Sequence, residues 1–113
     1  MLSGKWSVVK DSLTNDSNFV MIDGYPIPGV YFGTAVDYWE FTSNGFLNIH
    51  ENNQSGSGFI YHIVPNARLY IDLLSPIYDD AYILTLTLNK ATIFWTKRSA
   101  NGGRYTRTLY LKK

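Results

Sequence analysis

Alternation along the chain places three cations on one face near the ends of three β-like runs, Lys10, Lys97 and Arg107, with Tyr82 and Tyr105 beside them and Glu51 facing the same way. An arginine can hold a carboxylate or sulfate through two parallel hydrogen bonds. At the mouth of a container such a cluster would therefore suit an acidic head group, with an apolar tail behind it. Solvated rim charges lying along aromatic stems have the same composition and are the competing reading. His50 and His62 fall across from each other on the outer face of a proposed hairpin, with Glu40 close in register. Two imidazoles without a clear third ligand are a weak basis for a metal centre, and no metal or cofactor is expected. No histidine lies inward beside a serine and an acid. Asp79 and Asp80 sit in a loop next to Pro76, and Gly102-Gly103 joins two strands instead of opening a helix. Triad, carboxylate pair and phosphate loop are thus all unsupported. The chain has no cysteine, which removes thiol catalysis, disulfides and thiolate metal sites. The expectation is a non-enzymatic protein.

The elements that must position these residues are eight short runs with β character, over residues 5–11, 37–42, 46–52, 59–64, 69–74, 81–88, 91–98 and 105–112. Their connections alternate between long and tight, so the tight ones gather at one end. Turn length and side-chain phase must agree. A two-residue Asn-Gly loop at the first hairpin would set Phe41 against Asn48. A three-residue loop, Ser43-Asn44-Gly45 with Gly45 left-handed, pairs Phe41 with Leu47 and Trp39 with Ile49. A symmetric hairpin about Gly56 turns Phe59, Tyr61 and Ile63 inward. Ile63 then meets Leu69 and Tyr61 meets Ile71 across Pro65-Asn66-Ala67. A two-residue Asn89-Lys90 loop sets Leu86 against Ile93 and Leu84 against Trp95, although Lys is a poor second turn residue. Leu109 and Leu111 of the last run can face Trp95 and Ile93, with Trp6 and Val8 on their other side, so the two edges can meet. Closure removes two exposed edges, and short sequential connections favour an up-and-down barrel over a sandwich.

The expected fold is accordingly all-β, an eight-stranded antiparallel up-and-down barrel in one domain spanning residues 1–113, with a long insert at 12–36. Hydrophobic residues make up 45% of the chain and aromatics 16%, a bias toward strands over helices. Ten basic and nine acidic residues leave a charge of +1, which offers no field for nucleic acid. No run is long enough for a membrane helix.

Trp39, Phe41, Ile49, Phe59, Tyr61, Ile71, Tyr82, Leu84 and Trp95 form the expected lumen wall, with Leu86 alongside and Lys97 and Arg107 at the rim. In a barrel of this size these side chains either fill the interior or surround one small ligand. Inward tyrosine hydroxyls each need a partner, which makes a partly wet or liganded interior the remaining possibility beside a filled core. The insert carries Phe19-Val20-Met21-Ile22 and then Tyr25, Tyr31 and Phe32 among prolines. At the open end it would act as a lid or complete the core, and it offers a surface for a protein partner.

With the strands phased, Gly4-Lys5-Trp6 resembles the Gly-x-Trp signature of lipocalins. The stretch Trp39 to Ile49, then Tyr61-His62-Ile63 and Leu69-Tyr70-Ile71, resembles the successive repeats of bacterial lipocalin-like domains of about this length. The resemblance spans nearly the whole chain. It implies a calyx with Trp6 packed near the closed end beneath a basic side chain, Lys112 or Lys113, and noncovalent binding of small apolar or amphipathic molecules. It also implies an exported protein, periplasmic or lipid-anchored, with a signal segment ahead of residue 1. The alternative is a protein-interaction or inhibitor-like module with a filled barrel, contacting its partner through the insert and exposed aromatics such as Tyr38, Tyr70 and Phe94.

Overall fold

The computed structural model is described for residues 2–16, 29–64, 68–71, 80–98 and 102–113. Nine strands follow one another: β1 (Gly4–Asn15), β2 (Gly29–Phe32), β3 (Tyr38–Phe41), β4 (Phe46–Glu51), β5 (Gln54–Val64), β6 (Arg68–Ile71), β7 (Asp80–Leu86), β8 (Lys90–Arg98) and β9 (Arg104–Lys112). All pairings are antiparallel and run in sequence from β3 to β9, and β9 pairs back to β1, closing the sheet. β3 pairs with the first part of β1 and β2 with its second part. Both lie on the side away from β9, so together they fill one position of an eight-stranded barrel. The first strand thus runs to Asn15, four residues beyond the expected end. Residues 17–28, which hold Phe19 to Ile22 and Tyr25, lie outside the described residues, as do 65–67, 72–79 and 99–101.

The first hairpin has the three-residue loop that alternation demands. Phe41 pairs with Leu47 and Trp39 with Ile49. Gly45 takes φ 93°, and Thr42 Oγ1 accepts a hydrogen bond from Phe46 N at 2.9 Å. Ile63 with Leu69 and Tyr61 with Ile71 also hold.

Other turns differ from the sequence expectation. The β4–β5 hairpin turns at Asn52-Asn53, both with positive φ (54° and 63°), which is the two-residue turn that matches strand twist. A bulge at Ser57-Gly58 restores the phase, with Gly58 N donating to Asn48 Oδ1 at 3.1 Å, and Phe59 pairs with Leu47. In the β7–β8 hairpin Leu86 faces Ala91, not Ile93. Thr87 closes this longer loop, its hydroxyl accepting from Lys90 N at 3.0 Å and its N–H donating to Lys90 O at 2.8 Å. Leu84 is the extra residue of a bulge between Ile83 and Thr85 and points outward, 60% exposed. Tyr82 pairs with Phe94 and Arg68 on the outer face, where the Arg68 guanidinium lies 5.9 Å from its ring. Ala81 and Ile83 hold the inward positions expected for Tyr82 and Leu84.

The closed end is solid. Leu2, Trp6, Val8, Phe41, Leu47, Leu69, Ile71, Ala91, Ile93, Leu109 and Leu111 are all buried there. Trp6 Nε1 donates to Leu2 O at 2.7 Å, and Lys113 Nζ lies 4.6 Å from the Trp6 ring while donating to Ser3 O at 3.1 Å. Lys113, of the two terminal lysines, is therefore the cation over this tryptophan. Gly4 makes room for it, because a Cβ there would stand 2.8 Å from Lys113 Nζ.

Candidate functional site

The open end is built around a fault in β1. Between Val8 and Lys10 its register against β9 slips by one residue. Before the slip the even-numbered Trp6 and Val8 face inward; after it the odd-numbered Asp11 and Leu13 do. Lys10 is turned outward, with its Nζ 4.8 Å from the Tyr110 ring. The expected inward Lys10 is thus replaced by an aspartate.

Asp11 is 1% exposed and faces Arg107 across the β1–β9 seam. Arg107 Nε donates to Asp11 Oδ1 at 3.0 Å and Nη2 donates to Oδ2 at 2.6 Å. The guanidinium also sits 5.4 Å from the Trp39 ring and 5.2 Å from the Trp95 ring. Planar, fork-shaped and weakly hydrated, it suits a position between two indoles and a carboxylate better than a lysine would.

Glu51 enters from the end of β4. Trp39 Nε1 donates to its Oε1 at 2.9 Å, its Oε2 lies 3.9 Å from Arg107 Nη2, and it shares a side-chain hydrogen bond with Asp11. Burial, that hydrogen bond and the charge of Asp11 push the Glu51 carboxyl up to about 8, against the pull of Arg107. Burial also pushes Asp11 upward, but the hydrogen bond with Glu51 and the Arg107 charge outweigh it and hold Asp11 below the usual carboxylate range.

A second buried carboxylate ties the rim together. Asp37 Oδ2 accepts from Tyr31 Oη at 2.6 Å and Thr34 N at 2.7 Å, and Oδ1 accepts from Asn52 N at 3.1 Å. Burial opposes ionisation, yet these donors bring Asp37 down to about 2, and the same bond raises the Tyr31 phenol. The end of β2, the start of β3 and the β4–β5 turn are joined through one side chain.

Above the packed core lies a cavity of about 670 Å³. Leu13, Val30, Trp39, Ile49 and Phe59 supply its apolar wall, and Asp11, Glu51, Arg107 and Tyr31 its polar side. Volume and lining suit one small molecule with an apolar body and a few polar contacts.

Of the residues expected to bind, Trp39, Ile49, Phe59 and Arg107 line this cavity. Phe41, Ile71 and Trp95 are buried in the core beneath it. Tyr61 points toward the closed end, its hydroxyl donating to Thr42 O at 2.7 Å and its ring meeting Phe41 edge-on at 5.1 Å. Lys97 is inward, opposite Tyr105, but is not among the cavity-lining residues. Tyr82 and Leu84 stand outside the barrel, as described above. Leu86 is partly buried against the core. Of the insert, Tyr31 lines the cavity while Phe32 is 68% exposed. His50 and His62 are not opposite each other: His50 pairs with Ser55 and stacks on Tyr38 at 5.9 Å, and His62 pairs with Tyr70.

Asp11 and Leu13 had no place in the sequence expectation. Their signal was the change of phase, apolar residues falling on even positions at Trp6 and Val8 and on an odd one at Leu13, with Val8-Val9 adjacent at the change.

No family model and no curated protein matches the chain. Among solved structures it is similar to a bovine odorant-binding protein, a deswapped triple mutant, with a TM-score of 0.51 and 14% identity over 99% of this chain and 73% of that one. At that identity the likeness is one of fold, and the chain is a closed eight-stranded barrel of the lipocalin type.

Proposed function

We propose that this protein binds a small hydrophobic or amphipathic molecule, without catalysis, in the open half of its barrel. The observation that carries this reading is the cavity of about 670 Å³ above a fully packed closed end. Its floor and walls come from strands on both sides of the β1–β9 seam, so the volume is held open by the barrel itself. Trp39, Ile49 and Phe59 form the apolar contacts, with Arg107, Asp11 and Glu51 at the polar side. The likeness to an odorant-binding protein supports small-molecule binding at the level of fold, and the resemblance to bacterial lipocalin-like domains points to an exported protein. Among the described residues no helix is long and apolar enough to cross a membrane. The rival reading, a filled barrel serving as a protein-interaction module, has less support because the described side chains border a cavity of about 670 Å³.

The test is a titration of the purified chain with phenylnaphthylamine, a neutral dye that brightens on leaving water, alongside native mass spectrometry. Saturable one-to-one binding that quenches Trp39 and is weakened by Ile49→Trp, which would fill the cavity, is the expected result. Absence of saturable binding by both methods would overturn the reading.

A further inference from the structure

We propose that the polar side of this cavity selects a ligand carrying a primary or secondary ammonium group, with Glu51 as its counter-ion, over one carrying a carboxylate. The inference rests on the calyx reading above and adds the head-group chemistry.

The geometry reverses what the sequence suggested. Arg107 is the cation that lines the cavity, and its Nε and Nη2 are already engaged by Asp11 at 3.0 and 2.6 Å. An acidic ligand would have to share this guanidinium with a carboxylate that is 1% exposed and already holds its two-point edge. It would also bring a third carboxyl beside Asp11 and Glu51. Lys97, the other inward cation of the expected rim, does not line the cavity.

An ammonium meets the opposite conditions. Asp11 and Arg107 neutralise each other, so Glu51 is the carboxyl left to balance a new positive charge. Aromatic faces already hold one cation here, the guanidinium between Trp39 and Trp95, and Trp39 continues into the cavity wall.

Every charged or titratable group facing Glu51 among the described residues fits this assignment. Asp11 comes from β1, Arg107 from β9, and Tyr31 from β2, the last bound to Asp37 ahead of β3. β3 presents the Trp39 N–H, and β5 presents neutral Gln54, Ser55 and Phe59. Glu51 titrates at about 8, so near neutral pH it holds a proton. An arriving ammonium takes over the role of that proton, which leaves to solvent. Binding is therefore accompanied by proton release and strengthens as pH rises toward that value.

The experiment is isothermal titration calorimetry of the whole chain near neutral pH with three matched probes: naphthylmethylamine, naphthylmethanol and naphthylacetate. The amine is run in two buffers of different ionisation enthalpy and over a pH series. The expected result is a preference for the amine over the acetate of about tenfold or more, with approaching one proton released per amine bound. In Glu51→Gln the ratio of amine to alcohol affinity falls and the proton release disappears. Acetate binding as tightly as the amine, amine binding without proton release, or an undiminished amine preference in Glu51→Gln would each overturn the assignment. The alcohol separates the two levels of the reading. If it binds and the amine has no advantage, only the head-group inference fails; if none of the three binds, the calyx reading fails as well. The pH series on the unaltered chain keeps the test decisive should the variant fold poorly.

Discussion

Arg107 and Asp11 form the kind of pair whose value is mostly the cost of breaking it. Both are largely removed from water, and the contact is a two-point fork. Arg107→Ala leaves a buried carboxylate without its partner and is expected to cost about 3–5 kcal/mol in urea unfolding. A double variant, Asp11→Leu with Arg107→Met, should recover much of that loss, because the isolated charge is then gone. The neighbouring Glu51 gives the opposite kind of pH dependence from an ordinary paired acid. Its carboxyl titrates at about 8 in the folded chain, above its unfolded value, so the folded state keeps a proton that the unfolded state gives up. Its contribution is fully present below the unfolded value and is lost as pH rises through about 8. Asp11, held low, contributes above its unfolded value and loses that contribution in acid. Glu51→Gln keeps the shape and removes the alkaline loss. Its melting temperature relative to the unaltered chain should therefore climb between roughly pH 5 and pH 9; a constant difference would contradict the raised Glu51 carboxyl.

Two places show how elements are bent to present these side chains. The bulge at Val9 is braced by Gly33, whose N–H donates to Val9 O at 3.0 Å. A Cβ on Gly33 would lie 1.8 Å from Val8 O, a backbone atom that cannot swing away. Gly33→Ala should cost about 3 kcal/mol or more in unfolding free energy, and it should perturb Asp11 and Leu13, which the bulge aims. Circular dichroism melts and the Trp39 fluorescence maximum would report the two effects. The Asn52-Asn53 turn presents the reverse case. Both residues adopt the left-handed conformation, which Asn tolerates and Gly accepts without strain. Asn53→Gly should be neutral to stabilising, by about 0.5–1 kcal/mol, whereas Asn53→Val at the same site should destabilise. Glu51 directly precedes this turn, so the turn conformation also sets the placement of the proposed counter-ion.

At the scale of the whole barrel, the packed core lies at one end and the proposed binding cavity at the other. Ile93 is 0% exposed in the packed half, while Ile49 lines the cavity. Ile93→Ala should cost about 3–5 kcal/mol, since its neighbours can collapse little. Ile49→Ala, on a wall already adjoining empty space, should cost less than half as much and shift the affinity for apolar probes instead. Equal stability losses in the two variants would argue against a division between a structural half and a binding half. The closed sheet satisfies backbone groups around the seam from Ser7 to Asn15 independently of what fills the lumen.

Alternation and turn chemistry alone determined the all-β architecture, the three-residue first hairpin, the Ile63–Leu69 and Tyr61–Ile71 register, and the meeting of first and last strands. Each depends on residues near one another in sequence, or on a face that must be apolar throughout. They also brought Trp39, Ile49, Phe59 and Arg107 to one end. What the tertiary structure decided was the polarity of that end. A bulge is defined only against a partner strand, and the partner of Val8 to Asp11 is β9, about a hundred residues away and reached only on closure. The same holds for Leu84, whose outward turn depends on how β7 meets β8, and for Tyr82, which follows it. Closing eight strands fixes the stagger between first and last, and the one-residue slip in β1 exchanges Lys10 for Asp11. A mouth that read as basic is thereby one in which Asp11 faces inward and holds Arg107, with Glu51 beside the pair.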